Sequence, residues 1–502
     1  MLTVLTFLIY AKYFIGCAVA GGPSHARPIL EYLTGLQEQG YDVAFATTTE
    51  FTGMAKDYNL TILDIGNGPL DVQVKIDAVE GEVGSNLMKL LPFAKIGYLD
   101  KFYKTTYKGL LDTIQKKKPD LILCDGFADA CFDASIKNNI EYAISSTLSV
   151  FYGFYDYSYN PSFYLDKLAA NWNFWDRFKK TWYVNPLANW GFRPVINALN
   201  EQRKELGVEP RSDHVSYFNN HLVLLNSLPG LEYNAELPPN VIQLGAVLPK
   251  NHKKMDLKTR EWLDNKLNRG KKVAYMAFGS IAYHKKPELA KLFQGLRIAG
   301  LHILFASRTF NATEYSAEEL ENVHYLKWAP QRDILGHPVV VLFVSHGGQE
   351  SLHESIEAGK PILVKPFFGD QMFNGNKAKD AGVGDIIPGK YKFTAQEVSC
   401  KAKSLISDLK YKRNIKLFTR LLNLKGKHNV QDASDFLHFV SQFGAQGLTT
   451  ASQRMNSFQA ANYDVISAGI LLVVGLIILF SKAFFVIWRI WQSFRNGKVK
   501  RD

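Results

Sequence analysis

Cysteine is scarce in this chain, and the little present does not form a metal-type pattern. Cys17, Cys124, Cys131 and Cys400 are the only four in 502 residues, and no pair has the spacing of a zinc or redox motif. Cys17 and Cys124 fall inside apolar runs, which reads as buried free thiols. A dense Lys/Arg run within a nucleic-acid-binding pattern is also missing. The formal charge of +12 is dispersed, so the basic balance does not call for a nucleic acid. Hydrophobic residues make up 47% of the chain, which excludes a disordered protein and is ample for two or three domains with real cores. At the N-terminus, Leu2 to Tyr10 is apolar but lacks a basic leading region, and Ile9-x-Ala11 is a poor cleavage site. Residues 1–11 are therefore a weak or truncated signal segment. Ala18-Val-Ala20 fits the small-x-small cleavage pattern better, yet cutting there removes an apolar run that reads as a first strand.

One apolar run is long enough to cross a bilayer. Val465 to Trp488 is 24 residues with a single charge, Lys482, and at about 1.5 Å per residue it exceeds a hydrocarbon core of roughly 30 Å. From Lys482 to Asp502 there are six basic residues against one acidic. That flank is cytoplasmic by the positive-inside rule, which leaves everything before residue 460 on the lumenal or exterior side. Sequons at Asn59-Leu-Thr61 and Asn311-Ala-Thr313 are compatible with that side without arguing for it.

Short apolar runs alternate with amphipathic stretches through the N-terminal half. "YFIGCAVA" precedes "ILEYLTGLQEQG", in which Ile29, Leu30, Leu33 and Leu36 have helical spacing; "YDVAFATT", "PDLILCDGF" and "EYAISSTL" follow. Such alternation implies parallel βαβ units. Residues 229–256 concentrate proline and turn residues, as a connection does, and then "KKVAYMAFGS", "GLHILFAS", "NVHYLKW", "VVVLFVSHGG" and "KPILVKPFF" restart the pattern. The expected architecture is α/β, with two Rossmann-like domains facing a cleft. Its divisions are 12–245, a linker at 246–258, 259–440, a connecting segment at 441–462, a membrane helix at 463–488 and a basic tail at 489–502. Residues 151–192 hold sixteen aromatics, including Trp172, Trp175, Trp182 and Trp190. They read as helical packing, as the lining of an apolar acceptor pocket, or as amphipathic helices on a bilayer surface.

Two stretches carry chemistry. In "WAPQRDILGHPVVVLFVSHGGQESLHESIEAGKPILVKPFFGDQ" (328–371), a buried strand runs into Ser345-His346-Gly347-Gly348 and then a helix. Glycines at such a turn let a ligand reach backbone N–H groups, and the helix N-terminus favours an anion, so the expected ligand is a diphosphate. In "GCAVAGGPSHARPIL" (16–30), Gly21 and Gly22 read as the turn after the first strand, with His25 at its tip and a helix from about Ala26.

The 328–371 block resembles the signature of the UDP-glycosyltransferases, the UDP-glucuronosyl- and UDP-glucosyltransferases. The likeness extends to "LVLLNSLPGLEYNAELPPNVIQLGAVL", "AFGS" and "GAQGLTTASQRMNSFQAANYDVISAGILL", the last typical of membrane-anchored members. This resemblance implies a GT-B fold, a UDP-sugar co-substrate and no metal or other cofactor. It implies that Trp328 stacks on the uracil, Gln331 sits beside the nucleoside and Glu354 accepts from the ribose hydroxyls. His346, Gly348, Ser351 and Ser280 would hold the diphosphate, and Asp370 and Gln371 the sugar hydroxyls. One position departs: Glu350 stands where many members have Asn. A carboxylate there suits the helix dipole but repels a diphosphate unless it points away or pairs with a basic group.

Sugar transfer to a hydroxyl needs a base and stabilisation of the departing diphosphate. His25 is the candidate base, kept neutral by its place at a helix N-terminus, and Asp125 of "LILCDGF" is placed to orient it. Asp129 and Asp133 lie too far along the following segment. The expected activity is inverting transfer of glucose or glucuronate from UDP to a small lipophilic acceptor. The competing expectation, resting on Glu350, is a catalytically silent sugar-nucleotide-binding membrane scaffold. Expected partners are the UDP-sugar, the acceptor and the bilayer, with a homo-oligomer left open. The ending Lys498-Val-Lys500-Arg-Asp502 resembles a dilysine retrieval signal, which implies the endoplasmic reticulum membrane.

Overall fold

The structure is a computed structural model. It describes residues 12–19, 23–68, 103–147, 172–212, 217–233, 235–250, 252–279, 285–367, 370–387 and 392–498. The proposed signal segment, the Gly21-Gly22 turn and much of the aromatic stretch lie outside these. The chain divides into a large unit ending at Gly447 and a C-terminal unit from Leu448.

The large unit holds two parallel sheets. Strands β1 (Tyr13–Cys17), β2 (Asp42–Thr47), β3 (Thr61–Asp64), β4 (Leu121–Asp125), β5 (Glu141–Ser146), β6 (Leu222–Leu225) and β7 (Val241–Gln243) form the first, in the order β3-β2-β1-β4-β5-β6-β7. Its helices include α1 (Pro23–Glu38), α2 (Tyr103–Lys117), α3 (Asp129–Lys137), α4 (Phe174–Lys179) and α5 (Asn185–Glu205). In the second sheet the order is β10-β9-β8-β11-β12-β13, from β8 (Lys272–Ala277), β9 (Leu301–Ala306), β10 (Val323–Leu326), β11 (Val340–Ser345), β12 (Ile362–Val364) and β13 (Gly384–Ile386). Around it lie α6 (Leu257–Asn268), α7 (Lys286–Ile298), α8 (Gln331–Gly336), α9 (Gln349–Glu357), α10 (Gln371–Asp380), α11 (Ala395–Ser407) and α12 (Leu409–Gly426). Both sheets reverse direction beside their first strand, between β1 and β4 and between β8 and β11. The crevice at such a reversal, at the carboxyl ends of the strands, is where α/β sheets take ligands.

Central strands are buried on both faces, so they read as continuous apolar runs rather than alternating ones. Val340, Leu342, Phe343 and Val344 of β11 are fully buried, as are Ile15 and Cys17 of β1. Helix α1 lays Ile29, Leu30, Leu33 and Leu36 on the first sheet. It approaches so closely that a Cβ on Gly16 of β1 would stand 2.4 Å from the Ile29 side chain. This seats the first turn of α1 against the end of β1.

Helix α13 (Asn429–Phe443), most of which the sequence division at residue 440 assigns to the second domain, packs on α1 and the first sheet. Lys12 Nζ donates to Ser441 O at 2.7 Å, Tyr41 stacks on His438, and Asn429 Nδ2 donates to Ala246 O at 2.9 Å. The chain thus returns to its starting lobe before leaving the large unit.

In the C-terminal unit, α14 (Tyr463–Lys498) is a continuous helix whose apolar stretch is long enough to cross a membrane, with none of it buried.

Candidate active site

The first reversal carries the proposed base. Asp125 ends β4 beside Cys17 of β1, since Cys17 pairs with Cys124. Across the crevice, α1 begins at Pro23 rather than near Ala26, which puts His25 in its first turn. His25 Nδ1 donates to Asp125 Oδ1 at 2.9 Å, so Nε2 is left as the site that can take a proton. The imidazole is 14% exposed and the carboxylate 1%. Phe127 packs against the ring at 4.9 Å between centroids, and its N–H donates to Asp125 Oδ2 at 3.3 Å.

Burial disfavours a charged His25, but the charge and hydrogen bond of Asp125, helped by Asp370 and Glu350, outweigh it and raise the pKa above the ordinary value. The expectation that the helix dipole keeps the ring neutral is therefore corrected. A dipole contribution of about 0.3–1 kcal/mol is smaller than the effect of a carboxylate in direct contact.

Two expectations about neighbouring residues resolve differently. Asp129 and Asp133 are occupied elsewhere: Arg203 Nε donates to Asp133 Oδ2 at 2.8 Å and Nη2 to Asp129 Oδ1 at 3.1 Å, while Tyr103 and Tyr217 also donate to Asp133. This buried network ties α3 to α5. The reading of Cys124 as a free thiol is overturned, because Cys124 and Cys131 form a disulfide with Cα atoms 5.9 Å apart. Helix α3 starts only four residues after Asp125 and folds Cys131 back over the strand end, so the crosslink brackets Asp125. Cys17 remains a buried thiol.

The second reversal carries the proposed donor groups. Gly347 has φ +89°, a left-handed conformation that favours glycine, and a Cβ on Gly348 would stand 2.6 Å from His346 Nε2. Gly348 is the N-cap of α9, whose first-turn N–H groups have no partner within the helix and can receive an anion. Burial pushes the His346 pKa down to about 4, so this ring is a neutral donor and not a cation. Ser280 lies outside the described residues. The preceding Gly279 approaches the same ring, with its Cβ position 3.1 Å from Nε2.

Trp328 is 53% exposed, with the Lys253 ammonium 5.8 Å from its ring centroid. Gln331 Nε2 donates to Glu354 Oε2 at 2.5 Å and to Ser351 Oγ at 3.2 Å, so the three proposed nucleoside and phosphate contacts form one cluster. Burial and then Glu350 raise the Glu354 pKa to about 8, opposed by the Gln331 hydrogen bond and by Arg27 and Arg332. Asp370 immediately precedes α10, and burial is the main cause raising its pKa. Gln371 Oε1 accepts from Phe367 N at 2.8 Å, which commits that oxygen to its own loop.

Three contributors escaped the sequence reading. Arg27 forms an ion pair with Glu350, joining α1 to α9. Asn374 Nδ2 donates to Gly347 O at 2.9 Å and to Asp370 Oδ2 at 2.6 Å, bridging the glycine turn to the sugar-side carboxylate. The buried pair of Lys377 and Glu232, at 2.8 Å, braces both with Gln349 and thereby holds the start of α9 against α10. Arg27 lies two residues from the base in "SHARP", and Asn374 one helical turn from Asp370; both spacings were visible signals. Among the described aromatics of that stretch, Trp172 is buried, while Phe174, Trp175, Phe178, Trp182, Tyr183 and Trp190 are exposed, with Phe174, Trp175, Phe178 and Trp182 in contact with one another.

Two Rossmann-like sheets in one chain, one with the His25–Asp125 pair at its reversal and the other with a glycine turn and helix N-terminus there, have the architecture of the GT-B glycosyltransferases. The chain belongs to the UDP-glucoronosyl and UDP-glucosyl transferase family, whose model matches residues 127–498. A UDP-glycosyltransferase of Talaromyces amestolkiae is 27% identical over 91% of this chain and 94% of its own length. The human (Homo sapiens) UDP-glucuronosyltransferase 1A9 is 27% identical over 57% of this chain and 52% of its own. Among solved structures, the glycosyltransferase of kitacinnamycin superposes with a TM-score of 0.59 at 16% identity, covering 86% of this chain and 99% of its own. CalG4, the calicheamicin glycosyltransferase, gives 0.59 at 14% identity, over 86% and 98%.

Proposed function

We propose that the protein is an inverting hexosyltransferase that moves glucose or glucuronate from UDP to a hydroxyl of a small lipophilic acceptor. The observation that carries this reading is the His25–Asp125 hydrogen bond, which leaves Nε2 as the proton acceptor. The acceptor oxygen attacks the anomeric carbon from the face opposite UDP and its proton passes to His25 Nε2. The bond to UDP breaks as the new glycosidic bond forms, inverting the anomer. Asp125 stabilises the imidazolium, and the N–H groups at the start of α9, with neutral His346, meet the charge developing on the diphosphate. Trp328 stacks on the base, Gln331 and Glu354 hold the nucleoside side, Ser351 joins the diphosphate donors, and Asp370 with Gln371 holds the sugar. No step calls for a metal, because backbone donors do the work of a cation at the leaving group.

For localisation, the reading is a single-pass protein of the endoplasmic reticulum membrane, with lumenal catalytic domains and a cytoplasmic tail. It is supported by α14 and by the Cys124–Cys131 disulfide, which persists in an oxidising compartment. Against the silent-scaffold reading, which rests on an uncompensated Glu350, stands the ion pair of that residue with Arg27. The test is UDP release from a panel of UDP-sugars with a phenolic acceptor, comparing wild type with His25→Ala. Turnover lost in the variant is expected; equal turnover in both would sink the base assignment, and none with any donor would favour the scaffold.

A further inference from the structure

The ion pair between Arg27 and Glu350 is the contact that most directly joins the two reversals. Arg27 sits two residues beyond the base, on the same helix, and Glu350 lies in the first turn of α9, beside the N–H groups proposed to receive the diphosphate. The partners are 323 residues apart in sequence, with side chains 38% and 21% exposed, so the pair is neither buried nor fully solvated.

A carboxylate at this position is electrostatically awkward. Glu350 and Glu354 are four apart on one helix, which brings like charges onto one face. A diphosphate arriving at the N-terminus of α9 adds further negative charge to the same few ångströms. The Glu354 carboxyl is pushed up to about 8, by burial first and by Glu350 second. Arg27 is the cation that answers both: its charge opposes that rise in Glu354, and it is itself raised by Glu350 and Glu354 against the cost of burial. An arginine has five N–H donors in a rigid fork, so pairing with one carboxylate leaves capacity for a second anion.

We propose that Arg27 is a donor-positioning residue: held by Glu350 at the start of α9, its guanidinium offsets that carboxylate, meets the diphosphate of the UDP-sugar and fixes the helix carrying His25 over the bound donor. The inference rests on the donor site of the proposed function. It assigns Glu350 a defined role: the acidic residue that replaces a neutral amide makes donor binding depend on an arginine from the opposite lobe.

The test is UDP affinity measured by calorimetry on the detergent-solubilised full chain, alongside steady-state donor KM and kcat. Arg27→Ala should weaken UDP binding about tenfold, the loss expected for a charge-assisted contact, with a larger effect on donor KM than on kcat. Arg27→Lys should fall between it and wild type, because the charge is kept and the fork lost. Glu350→Gln should tighten UDP. In the double variant Arg27→Ala/Glu350→Gln the gain in UDP affinity from removing Glu350 should exceed its gain in wild type, a non-additivity that a purely structural role would not produce. Unchanged affinity in Arg27→Ala, or a double variant as weak as the single one, overturns the inference. If Arg27→Ala fails to fold, Arg27→Lys and Glu350→Gln decide it by the same comparison. UDP binding needs no turnover, so a wild type that binds UDP without transferring sugar would sink the transferase reading while leaving this pair testable. A wild type that does not bind UDP would remove both.

Discussion

His25 sits in the helix that follows β1 and His346 directly follows β11, strands on opposite sides of the reversal in their respective sheets, and burial pushes both rings toward neutrality. They end on opposite sides of the ordinary histidine pKa. His346 falls to about 4 with burial as its only cause. His25 rises, because Asp125 touches it and Asp370 and Glu350 add to the effect. Burial acts alike on the two rings, and the carboxylate in contact with His25 raises it against that burial. The contrast proposed between the lobes is a titrating base in the first and, for the diphosphate, neutral donors in the second, His346 and the N–H groups of α9.

The largest test of this contrast is removal of the titrating ring. His25→Ala should lower kcat about 10^3-fold, within the range for a general base, while UDP affinity changes far less. If the loss appeared in UDP affinity instead, the division between the lobes would be wrong. Asp125→Asn keeps the ring but removes the charge that raises its pKa, and should cost about 10^2-fold in kcat. The sign of its pH effect is fixed. The base must be neutral, so kcat/KM rises with pH through a limb that lies above the ordinary histidine value in wild type. Without the carboxylate, burial dominates and the limb moves to lower pH. A limb that stayed in place would show that the titrating group is not His25. His346→Ala should raise donor KM about tenfold by removing a neutral donor. It should not move that limb, since a ring titrating at about 4 does not change charge near neutral pH. A shifted limb would place His346 among the titrating groups.

How far these contrasts could be read from sequence depended on whether the partners were local. The glycine turn, α9 and the helical spacing of α1 are local patterns, and they lie where periodicity and capping put them. His25 and Asp125 are 100 residues apart, but parallel strands bring their carboxyl ends to one edge, so topology could bring them together. Arg27 and Glu350 lie on helices flanking different sheets, and no periodicity joins two lobes. Composition hid the disulfide: Cys124 in an apolar strand reads as a core thiol until the tight turn into α3 is known. Helix α13 misled for a related reason, since its apolar face fits either lobe and only the return of the chain decides which one it covers.

The smallest expected effect is also the most specific. Glu350 is the weakest of the causes that raise His25, acting from the far lobe without contact. Glu350→Gln removes one negative charge facing the base, so the limb of kcat/KM should move in the same direction as in Asp125→Asn, toward lower pH, but less far. Added salt should shrink the difference between wild type and this variant, because a charge acting at a distance through partly solvated space is screened, whereas the contact with Asp125 is not. A limb in Glu350→Gln that moved to higher pH, or as far as in Asp125→Asn, would mean that the carboxylate reaches the base by some route other than its field. The titrating and donor-holding lobes would then not be separable, and the contrast between the two histidines would fail where it is most exposed to measurement.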